Sequence, residues 1–258
     1  MLLTGSWLLR VVLVMRGGQY FWADEKLYDD TLDVTFHLSH LNLGSFARLI
    51  VKGDHTGFTA LGFLPAIGQR VVKYLLDVPI YRTAWMPGLV LSLASVACIG
   101  LTYALARKMG AERNEGLAAA VLMSCANTMF YGARHLTPYD GALGLALLAL
   151  LIGIDVRTTF SRSMAFGLVA GFAFLYYHGY YPLVLIVCVV HVLRGGRSLA
   201  TMAKRAAVAG TGALLLPALL TVVTLILGWR SYPASLLNFS RATTGLPQGD
   251  FSEGWSLP

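Results

Sequence analysis

Apolar residues in this chain gather in long runs that short polar segments separate. Because the bilayer core offers no water to exposed backbone groups, an apolar run within it is predicted to be helical. About 20 apolar residues in a helix cross the roughly 30 Å of hydrocarbon. The pattern therefore predicts an all-α polytopic membrane helix bundle of about seven transmembrane helices. The predicted spans are 2–15, 84–106, 116–131, 141–154, 164–177, 180–193 and 206–229.

The run 57–76 is different, because polar residues divide it into two faces. Phe58, Leu61, Leu64, Val71, Val72 and Leu75 fall on one side of a helix, and Thr59, Gly62, Gln69, Arg70 and Lys73 on the other. Such a helix suits the membrane interface better than its hydrocarbon. We therefore expect residues 16–83 to form a long first outer loop that bears interfacial helices.

Composition supports the membrane class. Of the 258 residues 56% are hydrophobic and 13% charged, whereas charged residues make up about 25% of ordinary soluble proteins. The net charge of +7 is attributed to basic loops, and nucleic acid is not expected as a partner. Cys98, Cys125 and Cys188 lie in apolar runs without metal-ligand spacing, which indicates small core residues rather than disulfides.

The two ends of the chain carry different expectations. No basic segment precedes the first apolar run and no small-residue cleavage site follows it, which predicts an uncleaved span. Residues 1–229 are expected to form one transmembrane module. Residues 230–258 are aromatic and contain Gly and Pro, and we expect an extracytoplasmic tail that is truncated.

Charge in the short connectors predicts which side each loop faces. The connectors 107–115, 155–162 and 194–205 hold nine Lys and Arg, whereas the two opposite, around Arg134 and His178, hold one. Short loops rich in Lys and Arg remain cytoplasmic, which places the N-terminus inside. Ten of the thirteen acidic residues then face outward: Asp24, Glu25, Asp29, Asp30, Asp33, Asp54, Asp77, Asp140, Asp250 and Glu253.

Arg10 lies near the middle of the first apolar run. An arginine at the centre of a span costs roughly 2.5 to 3.5 kcal/mol on insertion scales. We expect its side chain to face other helices or a wet cavity, and the alternative is that it snorkels to the interface.

Four carboxylates follow directly after the first span and its aromatic end, within the stretch 19–30. Carboxylates at a bilayer surface, next to Tyr20, Phe21 and Trp22, are placed for proton or cation chemistry on a lipid-borne substrate. The alternative is an acidic loop that water solvates.

Two further clusters are predicted on the outer side. One is Arg134 and His135 with Asp140, and the other is the aromatic stretch 176–181, which includes Tyr177 and His178. Together with the first acidic stretch they offer a base, cations for a phosphate, and aromatic surfaces for a sugar or isoprenoid chain. Each has a simpler interpretation: an interfacial cation pair for Arg134 and His135, a membrane-belt residue for His178, and a helix N-cap for Asp140.

These residues carry a resemblance to a known class. Arg10 within the first run, followed by Phe21-Trp22-Ala23-Asp24-Glu25, resembles the first span and the aromatic-then-acidic signature of GT-C polyprenyl-phosphate-sugar glycosyltransferases. The likeness is greatest to bacterial relatives of the protein O-mannosyltransferases, which are glycosyltransferase family 39-like. The long first outer loop and the Gly- and Phe-rich run 167–175 are similar too.

The resemblance implies roles for particular residues. In that class the carboxylate after the first span acts on the acceptor hydroxyl, so Asp24 matches the catalytic base, with Glu25 beside it in the substrate site. Asp140 matches a second acidic position, near which some members bind a metal; Mg or Mn is therefore a possible cofactor, with Asp24 and Asp140 as candidate ligands. Many relatives have a lysine for the lipid phosphate where this chain has Tyr177 and His178. The remaining candidates for that phosphate are His178 and Arg134, and His135 joins them in stabilising the departing group.

The function expected from the resemblance is sugar transfer from a polyprenyl-phosphate donor to a hydroxyl acceptor on a lipid, glycan or protein. The reaction would take place on the extracytoplasmic face of a bacterial plasma membrane, with inversion at the anomeric carbon and membrane lipids around the protein. The competing class is a transporter or flippase of lipid-linked or anionic substrates, which also uses charged groups at a membrane cavity. The acids gather at one face and no repeat is visible, which favours the enzyme.

The charge count generates a topological prediction. Single cysteines in a cysteine-free background are to be tested in intact cells with a membrane-impermeant thiol reagent. Labelling of position 113 from outside would overturn the topology. We expect protection at Arg113, Arg157 and Arg197, and labelling at Lys26, Arg134 and Trp255.

Overall fold

The computed structural model describes residues 1–17, 27–51, 56–126, 135–196 and 198–229, and within them every regular element is helical. This confirms the all-α class. Two short 3₁₀ helices, Ile80–Thr83 and His178–Tyr180, lie between longer ones. The α-helices are α1 (Leu2–Met15), α2 (Leu27–Ser39), α3 (Leu43–Val51), α4 (Thr56–Leu76), α5 (Trp85–Lys108), α6 (Arg113–Ser124), α7 (Tyr139–Gly153), α8 (Phe160–Tyr176), α9 (Tyr181–Leu193) and α10 (Leu199–Ile226).

Two stretches in the described part of the chain are helical, long and apolar enough to cross a membrane: Ile80–Lys108, which contains α5, and Leu199–Ile226, which is α10. Helices α1, α7, α8 and α9 are apolar but have 17 residues or fewer. Each of the seven predicted spans overlaps one of the helices above. The two long stretches support membrane association, and the number of about seven spans stays a prediction.

The three basic connectors meet at one end of the bundle. Lys108, at the end of α5, places its Nζ 2.9 Å from a carboxylate oxygen of Asp155, which follows α7. Arg205 in α10 donates from Nη2 to the main-chain oxygen of the same residue at 2.6 Å. We call this the basic end of the bundle, and the cytoplasmic side is still its predicted location. Their position at one end agrees with the prediction, made from the charge count, that these three connectors lie on the same side of the membrane.

The last turn of α7 is held at the basic end by side chains from other helices. His191 Nδ1 lies 2.8 Å from the Gly153 oxygen, and Arg194 Nε donates to the Ile154 oxygen at 3.1 Å. A helix leaves its last four carbonyls without intrahelical partners and carries partial negative charge there. His191, Arg194 and Arg205 therefore cap α7 from α9 and α10.

Helices α8 and α10 form the most extensive helix pair in the bundle, and small residues let their backbones approach closely. A Cβ placed at Gly167 would overlap the Ala209 carbonyl oxygen, and one at Gly171 would overlap that of Ala213. From the other side, a Cβ at Gly212 would lie 2.6 Å from the Met164 oxygen. This is the packing that a Gly-x-x-x-Gly pattern gives in membrane helices. The Gly-rich run noted in the sequence is thus explained by helix contact.

Helix α4 has two faces, as predicted, and most of its polar face turns toward the protein. The prediction is wrong for Phe58, which is buried on that side, and for Lys73, which is exposed. Gln69 is fully buried and donates to the Ile80 oxygen at 3.0 Å. Arg70 donates to Thr35 and to the Leu32 oxygen of α2. Burial lowers the pKa of the Arg70 guanidinium, and the charge of Asp33 opposes that shift. The opposite face is open and apolar, with Leu64, Val71, Tyr74 and Leu75 exposed. An outward apolar face is what a helix against lipid requires.

The α8 and α10 contact generates a stability prediction. Gly167→Ala introduces a methyl group against the Ala209 carbonyl, and we expect it to lower the free energy of unfolding by about 1 to 3 kcal/mol, as overpacking does. The measurement is denaturation of the purified protein in detergent. Gly210→Ala in α10 is the matched control, because a Cβ placed there would meet no atom within 4 Å. We expect no loss from it, and equal effects of both changes would contradict the close packing.

Candidate functional site

Arg10 is the charged residue around which the candidate site is built. Its side chain is fully buried. Nε donates to the Ser95 hydroxyl of α5 at 2.7 Å, and Nη1 donates to the Ser6 carbonyl one turn earlier in α1 at 3.0 Å. Arg10 thus faces other helices, as predicted, and the snorkelling alternative is wrong.

Ser95 connects this arginine to a carboxylate. The Ser95 hydroxyl, which accepts from Arg10, also interacts with the side chain of Asp140, near the start of α7. Nearby, Cys98 Sγ lies 3.3 Å from the Asp140 main-chain oxygen. We call Arg10, Ser95 and Asp140 the polar link. It joins α1, α5 and α7 through a cation, a hydroxyl and an anion.

The N-cap interpretation of Asp140 is wrong. Pro138 is the N-cap of α7, and no side chain forms a capping hydrogen bond there. Asp140 is the second residue of the helix, and its carboxylate turns to Ser95 of a neighbouring helix. Its negative charge still lies in the first turn, where the helix dipole favours an anion.

The polar link lies well inside the bundle. Ser95 follows Trp85, the first residue of α5, by ten residues, which is about 15 Å at 1.5 Å per residue. Trp85 marks the end opposite the basic end, and the outward side is its predicted location. Asp140 is therefore recessed from that end and is half-buried, and an electrostatic interaction there is stronger than in bulk solvent.

Three tyrosines surround the start of α7. The rings of Tyr139 and Tyr180 are nearly parallel, with centroids 6.1 Å apart. Tyr177 meets Tyr139 edge-on at 5.1 Å and Tyr180 at 5.3 Å. This tyrosine cluster presents faces and edges of aromatic rings next to the Asp140 carboxylate, whose charge interacts with Tyr180. Such surfaces suit a sugar ring or an isoprenoid chain.

Tyr176 fixes the tyrosine cluster to the rest of the fold. A Cβ at Gly141 would lie 2.5 Å from the Tyr176 ring, so only glycine admits this contact beside Asp140. The Tyr176 ring meets Phe58 of α4 edge-on at 5.5 Å, and Phe58 lies 6.4 Å from Tyr28 of α2. A Cβ at Gly57 would lie 2.8 Å from the Tyr176 backbone nitrogen. Helices α2 and α4 are thereby held against the site.

Both predicted histidines are buried. His135 is 6% exposed and His178 is 4% exposed. The His178 ring packs edge-on against Phe174, one turn earlier on α8, with centroids 4.6 Å apart. This surrounding is unlike that of an exposed belt residue.

The structure brings together part of the predicted site. Asp140 and Tyr177 both lie at the start of α7, and Asp140 is connected there to Arg10. The resemblance included Arg10 only as a feature of the first span. The predictions on Asp24, Glu25, Lys26 and Arg134 lie outside the described residues. So does the predicted tail 230–258.

No group of three or more His, Cys, Asp or Glu that could hold a metal occurs among residues 1–17, 27–51, 56–126, 135–196 and 198–229. Asp140 offers a carboxylate, the kind of oxygen ligand that Mg²⁺ and Mn²⁺ take. The metal stays a prediction that needs further ligands. The three cysteines are free thiols. The predicted core position is confirmed for Cys98, which is buried, and is wrong for Cys125, which is exposed.

Sequence reasoning missed Ser95 and the tyrosines at 139 and 180 as parts of one site. Ser95 stands in an apolar run, and polar residues in such runs often hydrogen-bond across helices. Ser92 is also a polar residue in the same apolar run, but it bonds only within its own helix, to the Leu89 oxygen. Choosing between them requires knowing which face of α5 meets α1 and α7.

In comparisons of the chain with protein-family models, curated proteins and solved structures, nothing matches. The GT-C resemblance therefore stays an expectation from the sequence.

The polar link generates a matched prediction in α5. Ser95→Ala removes the hydroxyl between Arg10 and Asp140, and we expect a loss of about 1.5 to 3 kcal/mol of unfolding free energy, as for hydrogen bonds to charged groups. Ser92→Ala is the control, because Ser92 is equally buried and bonds only to Leu89. For it we expect about 0.5 to 1.5 kcal/mol. Denaturant titration in detergent measures both, and a Ser92 loss as large as that of Ser95 would contradict the link.

Proposed function

We propose that this protein is a membrane glycosyltransferase of the GT-C type that transfers a sugar from a polyprenyl-phosphate donor to a hydroxyl acceptor. The observation that carries the proposal is the recessed Asp140, held by Ser95 and Arg10 beneath the tyrosine cluster. A carboxylate, a cation and aromatic surfaces at one place are the groups that this chemistry needs. The sequence resemblance adds Asp24 and Glu25, which follow α1, the helix that carries Arg10.

The proposed reaction is a direct displacement. Asp24 accepts the proton of the acceptor hydroxyl as its oxygen attacks the anomeric carbon. The bond from that carbon to the phosphate oxygen breaks, and the polyprenyl phosphate leaves with the bonding electrons. One displacement inverts the configuration of the anomeric carbon. General-base assistance of this kind contributes typically 100- to 10,000-fold to the rate.

The residues of the described site take supporting roles in this proposal. Tyr139, Tyr177 and Tyr180 provide the surface on which the sugar or the first isoprene units lie. Asp140 binds sugar hydroxyls or, if a divalent metal takes part, supplies a ligand to it. Negative charge on the leaving phosphate is to be met by Arg134, His135 or His178, because fixed cations and donors in a dry site stabilise developing charge.

One observation favours a second candidate, a transporter or flippase of lipid-linked or anionic substrates. Arg10 and Asp140 are connected inside the bundle, about 15 Å along α5 from its outer end, by the 1.5 Å rise of a helix. Ionisable residues at such depth often mark substrate or ion pathways in transporters.

Asp24→Asn tests the proposed base. We expect turnover of a labelled polyprenyl-phosphate sugar to fall about 100- to 10,000-fold, because the amide cannot accept the proton. The measurement is transfer by purified protein in lipid nanodiscs, at equal abundance and equal thermal stability of the variants. Asp77→Asn is the matched control: Asp77 is exposed in the turn after α4, with a φ of 49° that asparagine also tolerates.

The outcomes separate the two candidates. Near-normal transfer by the Asp24 variant together with a loss in Asp140→Asn would move the base to Asp140. No transfer by the unaltered protein from any donor in a panel, with uptake of a labelled anionic substrate into proteoliposomes, would replace the enzyme with the transporter.

A further inference from the structure

An apolar cleft opens between α9 and α10, away from the polar link. Its volume is about 280 Å³, close to the roughly 300 Å³ at which small-molecule pockets begin. Cys188, Val189 and Val192 line it from α9, and Ala206, Gly210 and Ala213 from α10. A Cβ at Gly210 would meet nothing within 4 Å. The cleft exists because small residues on α10 face larger aliphatic ones on α9.

The cleft begins at the basic end of the bundle, and each of its walls carries a cation there. Arg194 follows Val192 by two residues at the end of α9, and Lys204 precedes Ala206 by two residues in α10. Both side chains are exposed. Two positive charges thus border the apolar cleft where it begins, at the basic end.

These charges are not neutralised by the acid nearby. Lys108 and Arg162 both form ion pairs with the Asp155 carboxylate, at 2.9 Å each. Within the ranges that the structure describes, neither Arg194 nor Lys204 forms an ion pair. Arg194 uses Nε for the Ile154 oxygen and repels the neighbouring Arg205. Its other guanidinium donors have no partner in the described part of the chain, and the local excess of positive charge favours an anion.

We propose that the α9–α10 cleft binds an anionic phospholipid, with one acyl chain in the cleft and the headgroup phosphate on Arg194 and Lys204. Hydrocarbon is the occupant that the apolar walls suit, and a phosphate at one end of it is what the two cations suit. From Ala206 to Ala213 the wall extends about 10 Å at the helical rise, which holds part of one chain. The proposal is independent of the proposed glycosyl transfer, because the cleft lies at the basic end rather than beside Asp140.

The experiment uses the full chain in nanodiscs doped with a phospholipid that carries a photoreactive diazirine in one acyl chain. The probe is made with a phosphatidylglycerol or a phosphatidylcholine headgroup on the same chains. After illumination, labelled peptides are mapped by mass spectrometry. We expect the phosphatidylglycerol probe to label residues 188–193 and 206–213 several-fold more than the phosphatidylcholine probe does.

Two matched pairs of variants test binding of the acyl chain and recognition of the headgroup separately. Gly210→Leu fills the cleft and should abolish the labelling, whereas Gly5→Leu adds the same side chain to open space on α1 and should leave it unchanged. Arg194→Gln with Lys204→Gln should remove most of the phosphatidylglycerol preference, because each cation near a membrane surface contributes at most about fivefold. Arg107→Gln with Arg113→Gln removes two exposed charges at the same end and should have little effect.

Several results would overturn the proposal. Equal labelling by both probes would show ordinary lipid contact without headgroup recognition. If Gly210→Leu left the labelling intact, the acyl chain would have to bind outside the cleft. Protein-to-protein crosslinks in the cleft would show that a second copy or another segment of the chain fills it. If Gly210→Leu does not fold, Ala206→Leu, at an exposed position of the same wall, replaces it.

Discussion

The burial of one guanidinium group constrains the centre of this fold. Arg10 is fully buried in an apolar helix, and a cation there is costly unless hydrogen bonds and an opposite charge accompany it. Ser95 and Ser6 supply the hydrogen bonds, and Asp140 supplies the opposite charge. Because Arg10, Ser95 and Asp140 belong to three helices, satisfying Arg10 fixes α1, α5 and α7 relative to one another. The candidate site is the place where that requirement is met.

The sequence predicted the helices well because a single requirement, hydrogen-bonded backbone in an apolar medium, decides them. It also predicted that Arg10 faces other helices and that the three basic connectors share one end, since both follow from the cost or sign of a charge. Asp140 was a different case. A carboxylate after Pro138 and Tyr139 has the local pattern of an N-cap, and a tertiary contact with Ser95 replaced that role. Local sequence does not contain the competing partner.

The same limit explains the contacts between helices. Gly167 and Gly171 stand in a pattern that many membrane helices share, and their importance depends on the Ala209 and Ala213 carbonyls of α10. Nothing in the run 167–175 says which helix approaches it. The tyrosine cluster likewise needs the turn at 178–180 to return Tyr180 to Tyr139. Spacing along the chain gives the composition of such a cluster, and the packing of α7 against α8 gives its geometry.

The capped end of α7 has a consequence for synthesis of the protein. Its carbonyls at Gly153 and Ile154 receive donors from His191, Arg194 and Arg205, which lie 38 to 52 residues later in the chain. At roughly 5 to 20 residues per second, a ribosome needs about 3 to 10 s to make those residues after Gly153. During that interval the Gly153 and Ile154 carbonyls have to obtain their hydrogen bonds from water or from other proteins. The nascent chain is therefore incomplete at this point until α9 and the start of α10 have arrived, and the end of α7 is completed only after the helices that follow it have been inserted.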